Sequence, residues 1–94
     1  MSDELIVFVE FESASGLTRS EIIELVDYGV FEPRGAHERD WSFPASSLPL
    51  ARAAARLRAD FELSLPGLAL VLAYRERLEE LARHVRELEC RLPR

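Results

Sequence analysis

Residues 17–34, LTRSEIIELVDYGVFEPR, decide the fold, because they carry a full set of signals for one short helix between two turns. Thr18 is placed to accept the backbone N–H of Glu21 while the Glu21 carboxylate reaches back to the N–H of Thr18, and Leu17 is placed to staple onto Ile22. These contacts predict where the helix starts. Gly29 supplies a left-handed residue past the helix end, and Pro33 shortly afterwards prevents continuation. Ile22, Leu25 and Val26 share one apolar face, whereas Glu21, Glu24 and Asp27 follow a three-residue spacing along an adjacent face. The layout is that of a DNA-reading helix, yet its visible side carries three carboxylates and no base.

Upstream, Leu5-Ile6-Val7-Phe8-Val9 is a β-rich run, too apolar on both sides to stand free in water, so a strand paired with a later one is expected. Residues 10–15 read as one or two helical turns closed by Gly16. Two short helices separated by a glycine-containing turn resemble a helix-turn-helix.

Downstream, residues 30–43 have turn chemistry at Pro33 and Arg34-Gly35, followed by Trp41-Ser42-Phe43, whose aromatics alternate onto one face of a strand. This predicts a β-wing pairing with residues 5–9. Trp41 and Phe43 read either as core residues clamping the wing on the helices or, for Trp41, as a partner contact. Ser46 or Ser47 is expected to cap a third helix running through Pro49 to about residue 60. Leu50, Ala53, Ala54 and Leu57 form its buried stripe. Arg52, Arg56 and Arg58 lie away from that stripe, where they would meet phosphates, pair with local carboxylates or stay solvated.

Ser64 caps a long last helix with Pro66 in its first turn. Val71, Tyr74, Leu78, Leu81, Val85, Leu88 and Leu92 step by alternating threes and fours, a heptad seam. At about 1.5 Å per residue the seam runs on the order of 33 Å, longer than a small domain's own core needs, so its distal half should leave the globule. An antiparallel dimer through Tyr74, Leu78, Leu81, Val85, Leu88 and Leu92 is the expectation, with folding back onto the domain as the alternative. Cys90 falls two residues after a seam position and reads as a bystander.

The 94 residues are expected to form a single domain, with residues 1–64 as a winged helix-turn-helix part and residues 65–94 as the long helix. Just under half of them are apolar and nearly a third charged, the composition of a folded chain. The net charge of -5 is unevenly spread. Residues 1–32 hold eight acids against Arg19 alone, and the remainder hold eleven arginines against nine acids. The negative pole coincides with the helix of residues 17–34, and a surface of that sign repels phosphate and attracts a basic partner. It could equally be a solvated face.

No apolar run of membrane-spanning length occurs, and residues 1–10 lack the features of a secretion signal, so a cytoplasmic location is expected. One cysteine and two distant histidines, His37 and His84, make no metal-ligand spacing, and no metal or cofactor is assigned. There is no nucleophile beside a base and no glycine-rich phosphate loop, so an enzyme is not expected.

Gly16-Leu17-Thr18 opens the second helix, Gly29-Val30 precedes Glu32-Pro33-Arg34, and Trp41-Ser42-Phe43 forms the wing. Arg56-Leu57-Arg58 then ends the third helix, and Leu65-Pro66-Gly67 opens the fourth. In this combination nearly the whole chain resembles the MerR-like winged helix-turn-helix regulators, and more closely their DNA-nonbinding relatives, the CbpM chaperone-modulator family. The resemblance implies a mostly α fold: a MerR-like winged helix-turn-helix with a small antiparallel β-wing and a long C-terminal dimerisation helix. DNA-binding members carry an arginine and an aromatic pair in the second helix, where this chain has Ile23, Glu24 and Leu25. They carry a tyrosine-arginine pair in the wing, where it has Asp40 and Trp41.

What the resemblance implies for function is an inhibitory adaptor. It would bind the J-domain of a CbpA-type, DnaJ-like co-chaperone and block both its stimulation of an Hsp70-class chaperone and its DNA association; the location it implies is cytoplasmic, with any nucleoid association made through the partner. J-domains present a basic helix, and the expected partner-binding residues are Glu21, Glu24 and Asp27, extended by Glu32 and Trp41. The alternative is a MerR-type dimeric DNA-binding transcription regulator, with Arg19, Arg34, Arg52 and Arg56 meeting phosphates.

Overall fold

A computed structural model describes residues 3–92; residues 1–2 and 93–94, the outer ends of the two expected parts, lie outside the described residues. The chain order is β1 (Leu5–Val7), α1 (Phe8–Ser15), α2 (Arg19–Asp27), a 3-10 turn at Glu38–Asp40, β2 (Ser42–Pro44), a second 3-10 turn at Ala45–Ser47, α3 (Leu48–Phe61) and α4 (Leu65–Arg91). The fold is mostly α with one small antiparallel sheet, in which Leu5 faces Pro44, Ile6 faces Phe43 and Val7 faces Ser42.

Strand β1 is shorter than expected, because Phe8 and Val9 belong to α1. Phe8 and Phe11 both enter the core, and residues three apart share a side only in a helix. Tertiary packing therefore overrides the strand preference of the run. The α1–α2 turn is closed by Gly16 at φ 86° and by the buried hydroxyl of Ser15, which donates to the Glu12 carbonyl and accepts from the Leu17 N–H.

The core centres on an aromatic cluster. The Phe11 and Phe43 rings stack with centroids 4.3 Å apart, and Phe31 and Phe8 meet them edge-on. Leu17, Ile22 and Leu25 of the α2 region, Ala51 and Ala54 of α3, and Leu68 and Leu72 of α4 complete it. Trp41 packs against this cluster, half-buried, as the clamp that holds the wing. The wing also joins Arg34 to Ser42 through a pair of backbone hydrogen bonds.

The start of α3 differs from expectation. Ser47 stands at the N-cap but its side chain caps nothing, and Ser46 instead bonds the Asp3 carboxylate through both its hydroxyl and its amide. The preceding 3-10 turn already takes the Leu48 N–H at the Ala45 carbonyl, and Pro49 has no N–H to satisfy. Ala51, absent from the expected stripe, is fully buried, while Leu50 and Leu57 are only half-buried. Small residues let helices approach closely: a Cβ on Gly16 would meet that of Ala55 at 3.6 Å.

Helix α4 begins as expected, with the Ser64 hydroxyl accepting from the Gly67 N–H at 3.1 Å. Beyond Leu72 every described residue of α4 is exposed. The helix projects from the globule, which raises the radius of gyration to 15.8 Å, against about 13 Å for a compact chain of ~100 residues.

Candidate functional site

The acidic face of α2 is positioned by the signals that begin and end the helix. Thr18 Oγ1 accepts from the Glu21 N–H at 3.2 Å and Glu21 Oε1 accepts from the Thr18 N–H at 2.8 Å, the reciprocal pair expected from sequence. At the other end the Gly29 N–H bonds the Val26 carbonyl and the Val30 N–H bonds the Leu25 carbonyl, each at 2.9 Å, with Gly29 at φ 80°. This is a Schellman stop, and it needs no help from Pro33.

The three carboxylates do not share one environment. Glu21 Oε2 lies 2.7 Å from Arg58 Nη1, and the two side chains are 19% and 34% exposed. Nη1 is buried and makes no aligned hydrogen bond, so the contact is an ion pair joining the end of α3 to the start of α2. Glu21 is thus occupied on both oxygens, whereas Glu24 and Asp27 are exposed and no salt bridge among the described residues engages them. Glu32 is also exposed, next to buried Phe31. Trp41 is half-buried, its ring 6.0 Å from Phe8 and 6.3 Å from Phe43.

The arginines near this surface also serve the fold. Arg19 lies over the Phe8 ring at 4.2 Å, a cation–π contact, and Arg52 Nε donates to the Ala14 carbonyl at 3.2 Å in the last turn of α1. Of the four candidate phosphate contacts, Arg34 and Arg56 are exposed cations that make no such contact among the described residues.

Sequence reading missed Tyr28 and the hollow beside it. Tyr28 is half-exposed at the C-cap of α2. It lines a cavity of about 370 Å³ bounded by the end of α2, the start of α3 (Leu50) and α4 (Leu72, Glu76). Its signal in the sequence was slight: an aromatic between an acid and a helix-stopping glycine.

The seam residues of α4 line up as an open stripe, from Val71 at 38% exposure to Leu78 and Leu92 at 66%. Among the described residues no group of three or more His, Cys, Asp or Glu is arranged to hold a metal, and no helix is long and apolar enough to cross a membrane.

Residues 6–90 match the family described as MerR HTH family regulatory protein. Over 80 residues the chain is 35% identical to the Chaperone modulatory protein CbpM of Coxiella burnetii (strain Dugway 5J108-111), covering 85% of this chain and 76% of that one. The chain belongs to the CbpM family of MerR-like proteins. Two further CbpM proteins bear the same name: that of Pseudomonas putida (strain W619), 32% identical across all of this chain and 96% of its own length, and that of Escherichia coli O139:H28, 34% identical across 90% and 84%. CbpM proteins form a regulatory family rather than an enzyme family.

Proposed function

We propose that the chain is an inhibitory adaptor of the chaperone system, which binds the J-domain of a DnaJ-like, CbpA-type co-chaperone and blocks both its Hsp70 stimulation and its DNA association. The observation that carries this reading is the exposure of Glu24 and Asp27 on a helix laid out for reading DNA, in the most acidic part of the chain. A J-domain's basic helix is the matching surface, and attraction between the two raises the encounter rate. The relatives' name, chaperone modulatory protein, supports the same partner class. Glu24 and Asp27 supply the main charge, Glu32 and the exposed part of Trp41 extend the surface, and Glu21 contributes from its place against Arg58.

The adaptor acts as an antiparallel dimer through Tyr74, Leu78, Leu81, Val85, Leu88 and Leu92, in the cytoplasm. Open apolar positions at heptad spacing on a projecting helix favour this assembly. The deciding experiment is titration of a cognate J-domain into the wild-type chain and into Glu24→Lys/Asp27→Lys. Strong loss of affinity with an unchanged unfolding transition is expected. Equal affinity would remove the acidic face from the interface.

A further inference from the structure

We propose that the cavity beside Tyr28 receives one long cationic side chain, a lysine or arginine projecting from the partner's basic helix. This rests on the adaptor reading above and adds to it the anchor that fixes the partner's register.

The cavity, about 370 Å³, has the size range of sites that enclose a small group. Leu50 and Leu72 contribute apolar wall, suited to the methylene stem of a lysine or arginine. Tyr28 stands in the lining with half its surface open, and an aromatic face there attracts a cation. Two carboxylates and one guanidinium also line it. Arg75 Nε lies 3.4 Å from Glu79 Oε1, so the lining's own cation is matched, and Glu76 is the surplus negative charge. The residues that follow α2, Tyr28 to Val30, also line the hollow, so the negative end of the helix dipole lies beside it.

The cavity also borders the proposed interface. The Tyr28 N–H bonds the Glu24 carbonyl at 3.0 Å, so Tyr28 lies one helical turn beyond an exposed acid of α2. A basic helix lying across Glu24 and Asp27 would bring a side chain from its next turn, about 5.4 Å along, to the mouth. The exposed acids give long-range attraction without a fixed geometry, and the half-open hollow supplies the geometry.

The test is calorimetric titration of the J-domain of a DnaJ-like co-chaperone from the same genome into the full chain. Glu76→Gln is expected to weaken binding about fivefold and Tyr28→Ala about tenfold, while Tyr28→Phe, which keeps the ring, binds as wild type. Both altered side chains are exposed, and circular dichroism should give unchanged unfolding midpoints for Glu76→Gln. Replacing each lysine and arginine of the J-domain's basic helix by methionine should identify one position whose effect disappears in the Glu76→Gln background. If wild type binds and Glu76→Gln and Tyr28→Ala bind equally well, the cavity assignment is overturned while the adaptor reading stands. If Glu76→Gln weakens binding but couples to no J-domain cation, the occupant is something else and the proposal fails. If wild type does not bind the J-domain at all, the adaptor reading falls and takes the cavity with it.

Discussion

Arg58 Nη1 and Glu21 Oε2, 2.7 Å apart, tie the last turns of α3 to the first turn of α2. Glu21 also closes the reciprocal cap with Thr18. One carboxylate therefore holds a helix start and an inter-helix contact together. Glu21→Ala should destabilise the fold by about 1–2 kcal/mol, and Glu21→Gln, which keeps a side-chain acceptor for the Thr18 N–H, by about half of that. Urea unfolding measures both, and an equal loss for the two variants would mean that the ion pair, not the cap, carries the energy.

Gly35 and Gly29 both have positive φ, but their surroundings differ. A Cβ on Gly35 would stand 2.7 Å from the Asp40 carbonyl oxygen, whereas one on Gly29 meets nothing within 4 Å. Gly29→Ala should cost about 1–2 kcal/mol, the left-handed penalty alone. Gly35→Ala should cost more, because backbone atoms of the wing must also move. Comparison of thermal midpoints checks the order.

Phe11 has no exposed surface, stacks on Phe43 at 4.3 Å and meets Phe31 edge-on. Phe11→Ala should cost about 3–5 kcal/mol. That is a large share of the 5–15 kcal/mol typical of a whole domain. The variant is expected to be partly unfolded at 37 °C by near-ultraviolet circular dichroism, and a cooperative transition near the wild-type midpoint would contradict the placement of Phe11 at the centre of the core.

Among the described residues, none of α4 beyond Leu72 belongs to the core. An isolated helix of that length is marginal in water, so its helicity should depend on a second copy. Leu81→Glu with Leu88→Glu is expected to convert a species of twice 10.7 kDa into one of 10.7 kDa in sedimentation, with a loss of helical signal. A wild-type chain that sediments as a monomer would rule out the seam as a dimer contact.

Arg19 and Arg52 are held by Phe8 and the Ala14 carbonyl, and Glu24 and Asp27 face solvent on the helix that would enter a groove. Random duplex DNA at low salt should therefore show no polarisation change at micromolar protein, because phosphate affinity needs clustered free cations. Binding that falls steeply with salt would revive the DNA-regulator alternative.

The amino-acid order alone was enough wherever a structural signal is complete within a few neighbouring residues. The Thr18–Glu21 cap, the Gly29 stop, the Ser64 cap and the heptad spacing of α4 all stand in the structure where local rules placed them. The helix-turn-helix order was readable for the same reason, whereas the pairing of the wing with the first strand was readable because each is a short β-rich run that needs a partner. Packing decided the rest. Phe8 and Val9 joined a helix because Phe8 and Phe11 had to reach one aromatic core, and Ser46 turned to Asp3, a residue 43 positions away that no local rule selects. Arg58 withdrew Glu21 from an otherwise uniform acidic face, and the hollow beside Tyr28 exists only because α2, α3 and α4 meet there. Charge on a helix face is a property of sequence spacing, but whether that charge is spent inside the fold or left for a partner depends on what the rest of the chain brings alongside it.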